Sequence, residues 1–391
     1  MLILNLFKES AEFNLATLLP QIGIKPVKGA TFSIARYKIK LSFFLELNKM
    51  MSEHIQTLKP KLWKGFRLIA GDGTTVNLPP SPKIKEHFGI FAISEGTDTC
   101  LANACMLYDV LSNLVVDTII SPCSIGEGTL MDHLLKNPQF SNAIILLDRG
   151  FGYFSTCKKI INKQLSFCIR LKTSQSDFAK KALLNPLTDF VTDWLPSETE
   201  KLTCRQNGID TEPIKVRVTK IILHTGEIEV LVSNLFIAAI DQSGMRELYG
   251  MRWGVEEGFK KLKPKMKLEQ FGCRRYEGVY QEFYAHIFMM NLVTLIGNDA
   301  EEKIIKKTKG RKLKYKYNWQ NAFRFVRNKF IDIFNIGAFQ SSIECIIEQI
   351  ANSLTAIKNN RNFGRQMEVN VKTRTPNVIN NKQQNKKAPI L

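Results

Sequence analysis

The spacing of hydrophobic residues changes twice along the 391-residue chain. Residues 1–63 carry apolar side chains at helical spacing and predict a helical N-terminal region. Short apolar runs of the kind that form strands follow at 66–70, 101–108, 114–120, 143–147 and 167–171. The run at 143–147 is continuously apolar, which is typical of a strand buried on both faces. Together with a short helix at 131–135, this order predicts an α/β fold with a mixed sheet flanked by helices.

The pattern changes again after residue 172. Alternating apolar and polar residues at 215–219 and an apolar run at 227–231, separated by a turn, predict a β-rich insertion at 173–240. Helical spacing returns at Met245 and continues to about residue 358. The last segment, 359–391, is rich in Asn, Lys and Gln and poor in large apolar residues, so we expect a basic, disordered tail.

The net charge narrows the choice of partner. Lys and Arg outnumber Asp and Glu by 55 to 36, a formal net charge of +19. This excess favours a polyanion, because cations that neutralise phosphates release condensed counterions. A membrane is disfavoured, since the most apolar stretch, 283–296, contains His286 and Asn291 and is shorter than the ~20 residues that span a bilayer. The first residues also lack the basic region and cleavage site of a signal peptide.

The cysteines and histidines give no indication of a zinc site. The eight cysteines include no Cys-x-x-Cys pair, and the five histidines do not cluster with them. We therefore expect reduced, mostly buried thiols in a cytoplasmic protein.

The most informative stretch is residues 249–263, called the 249–263 segment below. Steps of three, four, four and three residues separate five polar residues, which about 100° per residue would place on one helical face: Tyr249, Arg252, Glu256, Lys260 and Lys263. Pro264 is expected to end or kink the helix. A solvated, salt-bridged surface would explain part of this pattern, but a carboxylate flanked by Tyr, Arg and two Lys is also suited to a phosphate substrate.

Glycines recur on roughly the opposite face of this helix, at Gly250, Gly254 and Gly258. Each costs about 1 kcal/mol relative to Ala in a helix interior, so a compensating gain is needed. We expect this side to pack its backbone closely against the sheet.

The 249–263 segment resembles the signature of the insertion-sequence-four family of DDE transposases: Tyr, two residues, Arg, three residues, Glu, six residues, Lys. Residues 71–75, Gly-Asp-Gly-Thr-Thr, resemble the first-aspartate motif of that family, and residues 147–155, around Asp148, resemble the second. Either short motif alone is weak, but all three in order are specific. The resemblance covers about residues 66–295.

The resemblance implies a ribonuclease-H-like fold, interrupted by a β-rich insertion, with an acidic triad of Asp72, Asp148 and Glu256. Two divalent ions about 3.5–4 Å apart serve phosphodiester cleavage and strand transfer. Carboxylate oxygens suit Mg²⁺ or Mn²⁺. The three acids are therefore expected to be both the metal ligands and the catalytic residues.

The resemblance also implies a DNA-binding role for other members of the segment. Tyr249, Arg252 and Lys263 would contact terminal phosphates of a transposon end, with Lys260 as a further contact. The expected partners are the terminal inverted repeats and the target DNA, with a homodimer in the synaptic complex. The implied reaction is cut-and-paste transposition in a bacterial cytoplasm, associated with the nucleoid when the protein is bound to DNA.

Two alternatives remain open at the level of sequence. One is an inactive descendant that only binds DNA, which would have no need to retain the triad. The other is a ribonuclease-H-like nuclease without strand transfer, which leaves the Tyr, Arg and Lys positions unexplained.

Several other residues are interpreted as structural or as secondary contacts. Three acids are expected to be turn or edge residues: Asp109, Asp117 and Asp132. Trp194 is expected in the core, and Glu257 is expected to pair with Lys261. The lysines of 303–329, interleaved with aromatic residues, favour a DNA surface over a solvated loop.

The predicted organisation has six parts. They are an N-terminal helical region that binds the DNA end (1–63), the first part of the catalytic domain (64–172), the β-rich insertion (173–240), the second part of the catalytic domain (241–300), a helical basic region (301–358) and the tail (359–391).

Overall fold

We describe the protein from a computed structural model. The structure describes residues 10–357 apart from 93–97, 137, 139, 175, 224 and 335–336, together with residues 3, 4 and 8. The predicted tail at 359–391 lies outside the described residues.

Helices and strands alternate through the central part of the chain. The strands are β1 (Arg67–Leu78), β2 (Phe91–Ala92), β3 (Asp98–Asp109), β4 (Leu114–Pro122), β5 (Ala143–Leu147), β6 (Ser166–Arg170), β7 (Asp189–Trp194), β8 (Ile214–Ile222), β9 (Ile228–Ser233), β10 (Lys314–Tyr317) and β11 (Leu354–Ile357). The helices of the N-terminal half are α1 (Ala11–Leu18), α2 (Gly29–Ala35), α3 (Leu41–Thr57), α4 (Pro82–Phe88), α5 (Glu127–Leu134), α6 (Phe154–Asn162) and α7 (Asp177–Leu184). Those that follow are α8 (Glu198–Gln206), α9 (Gln242–Met251), α10 (Gly254–Lys260), α11 (Tyr276–Asp299), α12 (Glu301–Thr308), α13 (Trp319–Asn328), α14 (Phe330–Ile333) and α15 (Phe339–Asn352).

The main sheet is mixed, as predicted. In the described part of the chain it has nine strands in the order β2-β3-β1-β5-β6-β9-β8-β7, with β4 also paired to β3. Strand β1 is antiparallel to β3 and parallel to β5, and β5 is parallel to β6. Every residue of β5 is buried, which explains its continuous apolar run. This α/β arrangement, with helices at both ends of the chain, confirms the predicted ribonuclease-H-like fold class.

The segment predicted as a β-rich insertion continues this same sheet. Strand β9 pairs with β6, and β8 pairs with both β9 and β7. The two predicted strands of the hairpin correspond to β8 and β9, whereas β7 and the helices α7 and α8 were not predicted. The division of the chain into domains stays a prediction.

Hydrophobic side chains cover both faces of the sheet. Helix α11, 24 residues long, is buried along most of its length and packs against α3, α13 and β4. On the other face, Trp194 is fully buried and stacks on Phe178 with ring centroids 4.4 Å apart. The core interpretation of this tryptophan is therefore confirmed. None of the helices in the described ranges is long and apolar enough to cross a membrane.

The acids interpreted as structural make structural contacts. Asp109, fully buried, accepts from Arg67 Nε at 2.7 Å and from two backbone N–H groups of the turn that follows β3. Asp132 lies 2.7 Å from Lys159 Nζ. Asp117 accepts from the Thr118 backbone N–H.

The cysteines are free thiols, and six of the eight are buried. Cys123 is partly buried and Cys345 is exposed. The expectation of mostly buried thiols is confirmed.

The basic C-terminal region differs from its interpretation as an aromatic DNA surface. Trp319 is buried and donates to Thr294, and the Tyr317 ring packs against Gly297. Lys303 and Lys307 form ion pairs with Glu348 at 3.3 and 2.5 Å. These aromatic rings therefore stabilise the interior rather than presenting faces to bases.

Candidate active site

The two motif aspartates lie side by side in the sheet. Strands β1 and β5 pair in parallel, with Gly71 opposite Leu147, so the next residues, Asp72 and Asp148, are neighbours. Asp72 lies inside β1, because the strand continues to Leu78. The prediction that this strand ends before Asp72 was therefore wrong, whereas Asp148 follows directly after β5 as expected.

The glycines on either side of Asp72 are required by the helix on the opposite face of the sheet. Side chains alternate between the faces of a strand, so residues 71 and 73 face α5 while Asp72 faces away from it. A Cβ at Gly71 would lie 2.6 Å from the Leu147 side chain of β5 and 2.9 Å from that of Met131, and one at Gly73 would lie 2.5 Å from the Glu127 carboxyl carbon. The side chains of α5, together with Leu147, thus explain the Gly-Asp-Gly sequence.

The 249–263 segment is not one continuous helix, in contrast to the prediction. Helix α9 ends at Met251, Arg252 and Trp253 form a turn, and α10 starts at Gly254. A π-helical turn, Lys261–Lys265, follows and contains Pro264 rather than ending before it. The five side chains therefore do not share one regular helical face.

The glycine face of this segment packs against the sheet at two of its three positions. A Cβ at Gly254 would lie 2.9 Å from Val110, and one at Gly258 would lie 3.0 Å from Met106. No atom lies within 4 Å of a Cβ added at Gly250. Close packing is confirmed for Gly254 and Gly258 and wrong for Gly250.

The three acids of the expected triad lie around Arg252 and Tyr249. Arg252 Nη2 donates to Glu256 Oε1 at 3.0 Å, and Nη1 lies 3.6 Å from Asp72 Oδ2. Tyr249 Oη donates to Asp148 Oδ1 at 3.1 Å. The fold thus brings residues from β1, β5 and α10 to one place.

The acids are not arranged around a common point in this conformation. Among the described residues, no group of three His, Cys, Asp or Glu side chains is placed to hold a metal ion. The Arg252 guanidinium lies between Asp72 and Glu256 and supplies the positive charge there.

Burial controls the protonation of this site. Burial is the main cause of the raised pKa of Asp72, which is about 6; the charges of Asp148 and Glu256 also raise it, and the Gly73 N–H and Arg252 oppose the rise. Burial also raises the pKa of Tyr249 far above its usual value. Tyr249 is therefore a neutral phenol that donates to Asp148.

The two lysines of the segment have other partners. Lys263 Nζ donates to the Thr75 carbonyl and lies 3.5 Å from Glu269. Lys260 pairs with Glu257 at 2.6 Å, so the expectation that Glu257 pairs with Lys261 was wrong. The structure therefore brings Tyr249 and Arg252 to the acids, and leaves Lys260 and Lys263 beside them with protein partners.

The comparison with known families decides the class of the protein. A family model described as the transposase DDE domain matches residues 63–292, more than half of the chain. The chain belongs to this family. A search of curated proteins found no match.

A solved structure with a similar fold is the cryo-EM structure of a piggyBac transposase synaptic complex with hairpin DNA. It shares 12% sequence identity with this chain, has a TM-score of 0.42, and matches over 74% of this chain. The match covers 54% of the piggyBac chain, so the present protein spans about half of its length.

Next to Arg252 lies an exposed aromatic side chain that the sequence did not single out for function. Trp253 is 48% exposed, and its ring lies 5.8 Å from the Arg252 guanidinium carbon. In the sequence, a role for Trp253 was indicated by its position directly after Arg252. Exposure distinguishes it from the buried Trp194.

A buried lysine lies immediately beyond the helix of Glu256. Lys261 is 7% exposed, and its Nζ donates to Tyr108 Oη at 3.0 Å. Burial is the main cause of the lowered pKa of Lys261, which is about 7; the charges of Lys265 and Lys316 also lower it, and Glu257 opposes them. At neutral pH the Lys261 amine is therefore partly protonated and partly neutral in the folded protein.

We expect the stability of the folded chain to depend on pH through Lys261. Its pKa is about 7 when folded and about 10.5 when unfolded, so between these values the unfolded state binds more protons. Stability therefore rises with pH in this range, by up to about 1.4 kcal/mol per pH unit. Lys261→Met removes this contribution, which denaturant unfolding at pH 7, 8 and 9 would measure.

The control for this experiment is Lys260→Met, which removes an exposed lysine one position earlier. The wild type and Lys260→Met are expected to share one pH dependence, and Lys261→Met to differ. Identical slopes in all three proteins would exclude a depressed pKa at Lys261.

Proposed function

We propose that the chain is a DNA transposase of the insertion-sequence-four type, which cleaves the ends of its element and joins them to target DNA. The main support is the parallel pairing of β1 with β5, which brings Asp72 and Asp148 together beside Arg252, the residue that also holds Glu256. Acids separated by 76 and 108 residues in the chain come together around one guanidinium. A solvated surface helix would not require this convergence.

The donor set suits hard divalent cations. Asp72, Asp148 and Glu256 offer only carboxylate oxygens, which Mg²⁺ and Mn²⁺ prefer. These three residues would hold two ions, with Arg252 moving from between Asp72 and Glu256. Bound ions would activate the attacking oxygen and stabilise the leaving oxygen of a phosphodiester.

The remaining residues of the site have roles in positioning. Tyr249 donates to Asp148 and fixes the orientation of that carboxylate. Arg252 has two buried nitrogens, Nε and Nη1, without a hydrogen-bond partner in the described residues. Unsatisfied buried donors are costly, and oxygens of a phosphodiester would satisfy them in the complex.

The other expected contacts belong to the same proposal. Lys260 and Lys263 reach terminal phosphates after exchanging their present partners, Glu257 and Glu269. The N-terminal helices, residues 1–63, bind the DNA end, and two protomers hold the two ends. The net charge of +19 supports a polyanionic partner for the whole chain.

The proposal is tested on the DNA that flanks the reading frame. A plasmid carrying both flanks is incubated with the full chain in Mg²⁺ or in EDTA, and the products are sequenced. We expect Mg²⁺-dependent double-strand breaks at paired inverted repeats, and joining of the released 3′ ends to a second plasmid. Binding without cleavage would instead indicate an inactive DNA-binding protein. Cleavage without joining would indicate a nuclease, and either result would overturn the proposal.

A further inference from the structure

A small cavity lies beside the 249–263 segment, between the end of its π-helical turn and α13. Its volume is about 150 Å³. Five cationic side chains line it, one from the N-terminal region, two from the residues just after the segment and two from α13: Lys8, Lys265, Lys267, Arg324 and Arg327. We call this cavity the basic pocket.

The floor of the basic pocket is apolar and fixed in the core. Met266 and Phe323 line it and are buried. The Arg327 guanidinium carbon lies 5.7 Å from the centroid of the Phe323 ring, which holds the cation against one wall. Gln320 adds an uncharged amide to the lining.

No carboxylate in the described part of the chain lines the basic pocket. Lys8 lies 3.8 Å from Glu282, which is shared with Arg36, but Lys267 and Arg324 form no ion pair with any described residue. Burial lowers the pKa of Lys265, the charge of Glu257 opposes this shift, and the neighbouring cations Lys316 and Lys260 add to it. Positive charge therefore outweighs negative charge in the lining of the pocket.

The backbone of Lys267, a lining residue of the basic pocket, has an unfavourable conformation. Its φ angle is +56°, in the left-handed region that non-glycine residues rarely adopt. Such a conformation costs on the order of 1–3 kcal/mol and persists only where the surrounding structure imposes it. A lysine side chain is thus held at the rim of the pocket at some cost in stability.

The charge of the basic pocket defines the class of its ligand. Arginine side chains bind phosphate oxygens through paired N–H donors, and lysines add point charge. The ligand class is therefore a phosphate anion.

We propose that the basic pocket binds a phosphate of the DNA backbone at a short distance from the cleavage site. Lys265 follows Glu256 by nine residues, through the end of α10 and the π-helical turn, so a rise of at most about 1.5 Å per residue limits their separation along the chain axis to roughly 14 Å, or about four base pairs of duplex. The pocket would hold the duplex in register while the acids act on the strand end. This inference rests on the proposed function, because it takes the phosphate to belong to DNA.

The test compares two double variants with equal loss of charge. Lys267→Gln with Arg324→Gln removes two cations of the basic pocket. Lys303→Gln with Lys307→Gln removes two cations that already form ion pairs with Glu348. Affinity of the full chain for a short fluorescent duplex is measured in EDTA at several NaCl concentrations.

We expect the pocket variant to bind the duplex with a weaker salt dependence. Each lost phosphate contact lowers the slope of log affinity against log salt by about 0.9, so the slope falls by up to about 1.8. The control variant is expected to change the slope by less than half of that amount. Equal changes in both variants, or none in either, would overturn the proposal.

A second measurement separates DNA from free phosphate. The melting temperature of each protein is recorded in sodium phosphate and in sodium chloride of equal ionic strength. Stabilisation by phosphate that the pocket variant loses, together with the change in salt slope, supports a phosphate site used by DNA. The same stabilisation with an unchanged slope would assign the pocket to free phosphate and overturn the DNA assignment.

Failure of the pocket proposal and failure of the proposed function can be told apart, because binding in EDTA requires none of the three acids. If the pocket variant lowers the salt slope but the wild-type chain cleaves no DNA, only the proposed transposase activity is contradicted. Cleavage that proceeds normally in a chain whose pocket variant shows no change in slope would count only against the pocket.

Discussion

Replacing Glu256 by Gln is expected to reduce Mg²⁺-dependent cleavage at least a hundredfold. Gln keeps the size of the side chain and can still accept from Arg252, but it lacks the charge that a hard cation requires. Loss of metal-assisted stabilisation of the transition state costs about 3 kcal/mol or more, and each 1.36 kcal/mol is about tenfold in rate. The rate of plasmid cleavage measures the effect, and duplex binding in EDTA is expected to remain.

The matched control for this change is Glu257→Gln, at the next position in α10. Glu257 points about 100° away around the helix and pairs with Lys260, and both side chains are more than half exposed. Exposed pairs contribute little to stability, so this variant is expected to cleave at nearly the wild-type rate. Equal rates in the two variants would remove Glu256 from the proposed triad.

Replacing Gly254 by Leu is expected to destabilise the folded chain by several kcal/mol in the absence of DNA. The new Cβ would lie 2.9 Å from two carbons of Val110, and the rest of the side chain would have no space between α10 and the sheet. Overpacking of this kind usually costs about 1–3 kcal/mol, and more where backbone must move. Denaturant unfolding measures the difference in the free energy of unfolding.

The matched control is Gly250→Leu, one helical turn earlier. Gly250 is exposed in α9, and a Cβ there meets nothing within 4 Å. This substitution is expected to leave stability unchanged or to raise it by up to about 1 kcal/mol, because Gly is a poor helix former. A loss of stability of the same size at both positions would contradict the packing explanation.

The elements that the sequence predicts best are those whose burial is uniform. Strand β5 matches its predicted limits, 143–147, because a run buried on both faces must be continuously apolar. Strand β1 was predicted only as far as residue 70, although it ends at Leu78. Residues 71–75 are glycine or polar, because Gly71 and Gly73 lie against side chains of the other face and Asp72 belongs to the site, whereas the apolar Val76 and Leu78 are buried again. Because of residues 71–75, the second half of β1 does not have the apolar pattern from which strands are predicted.

Elements that depend on distant partners could not be predicted. The turn at Arg252 places its guanidinium beside Asp72, 180 residues earlier, and no local preference of the segment specifies this contact. Strand β7 carries Asp189, which pairs with the buried Arg217 of β8. Aspartate is disfavoured in strands, so the sequence around Asp189 does not predict β7, and its presence there is explained by the pairing with Arg217 on the neighbouring strand.

In β10 the sequence predicted a feature that the fold does not show. Its alternating Lys and Tyr residues indicated a basic surface with aromatic faces for nucleic acid. In the fold β10 pairs with β11, about forty residues later in the chain, and Tyr317 packs on Gly297. Composition predicted the charge of this region, but only the tertiary contacts reveal which side chains are available.

The pairing of β6 with β9 has a consequence for how this chain could vary. Three residue pairs join the strand that follows the second aspartate motif to the segment that precedes the glutamate. Deleting or exchanging that segment would leave β6 with free backbone donors and acceptors along one side, an open edge that strands of other molecules could occupy. Loss of the intervening segment would therefore promote self-association of the chains, although all three acids of the site would still be present.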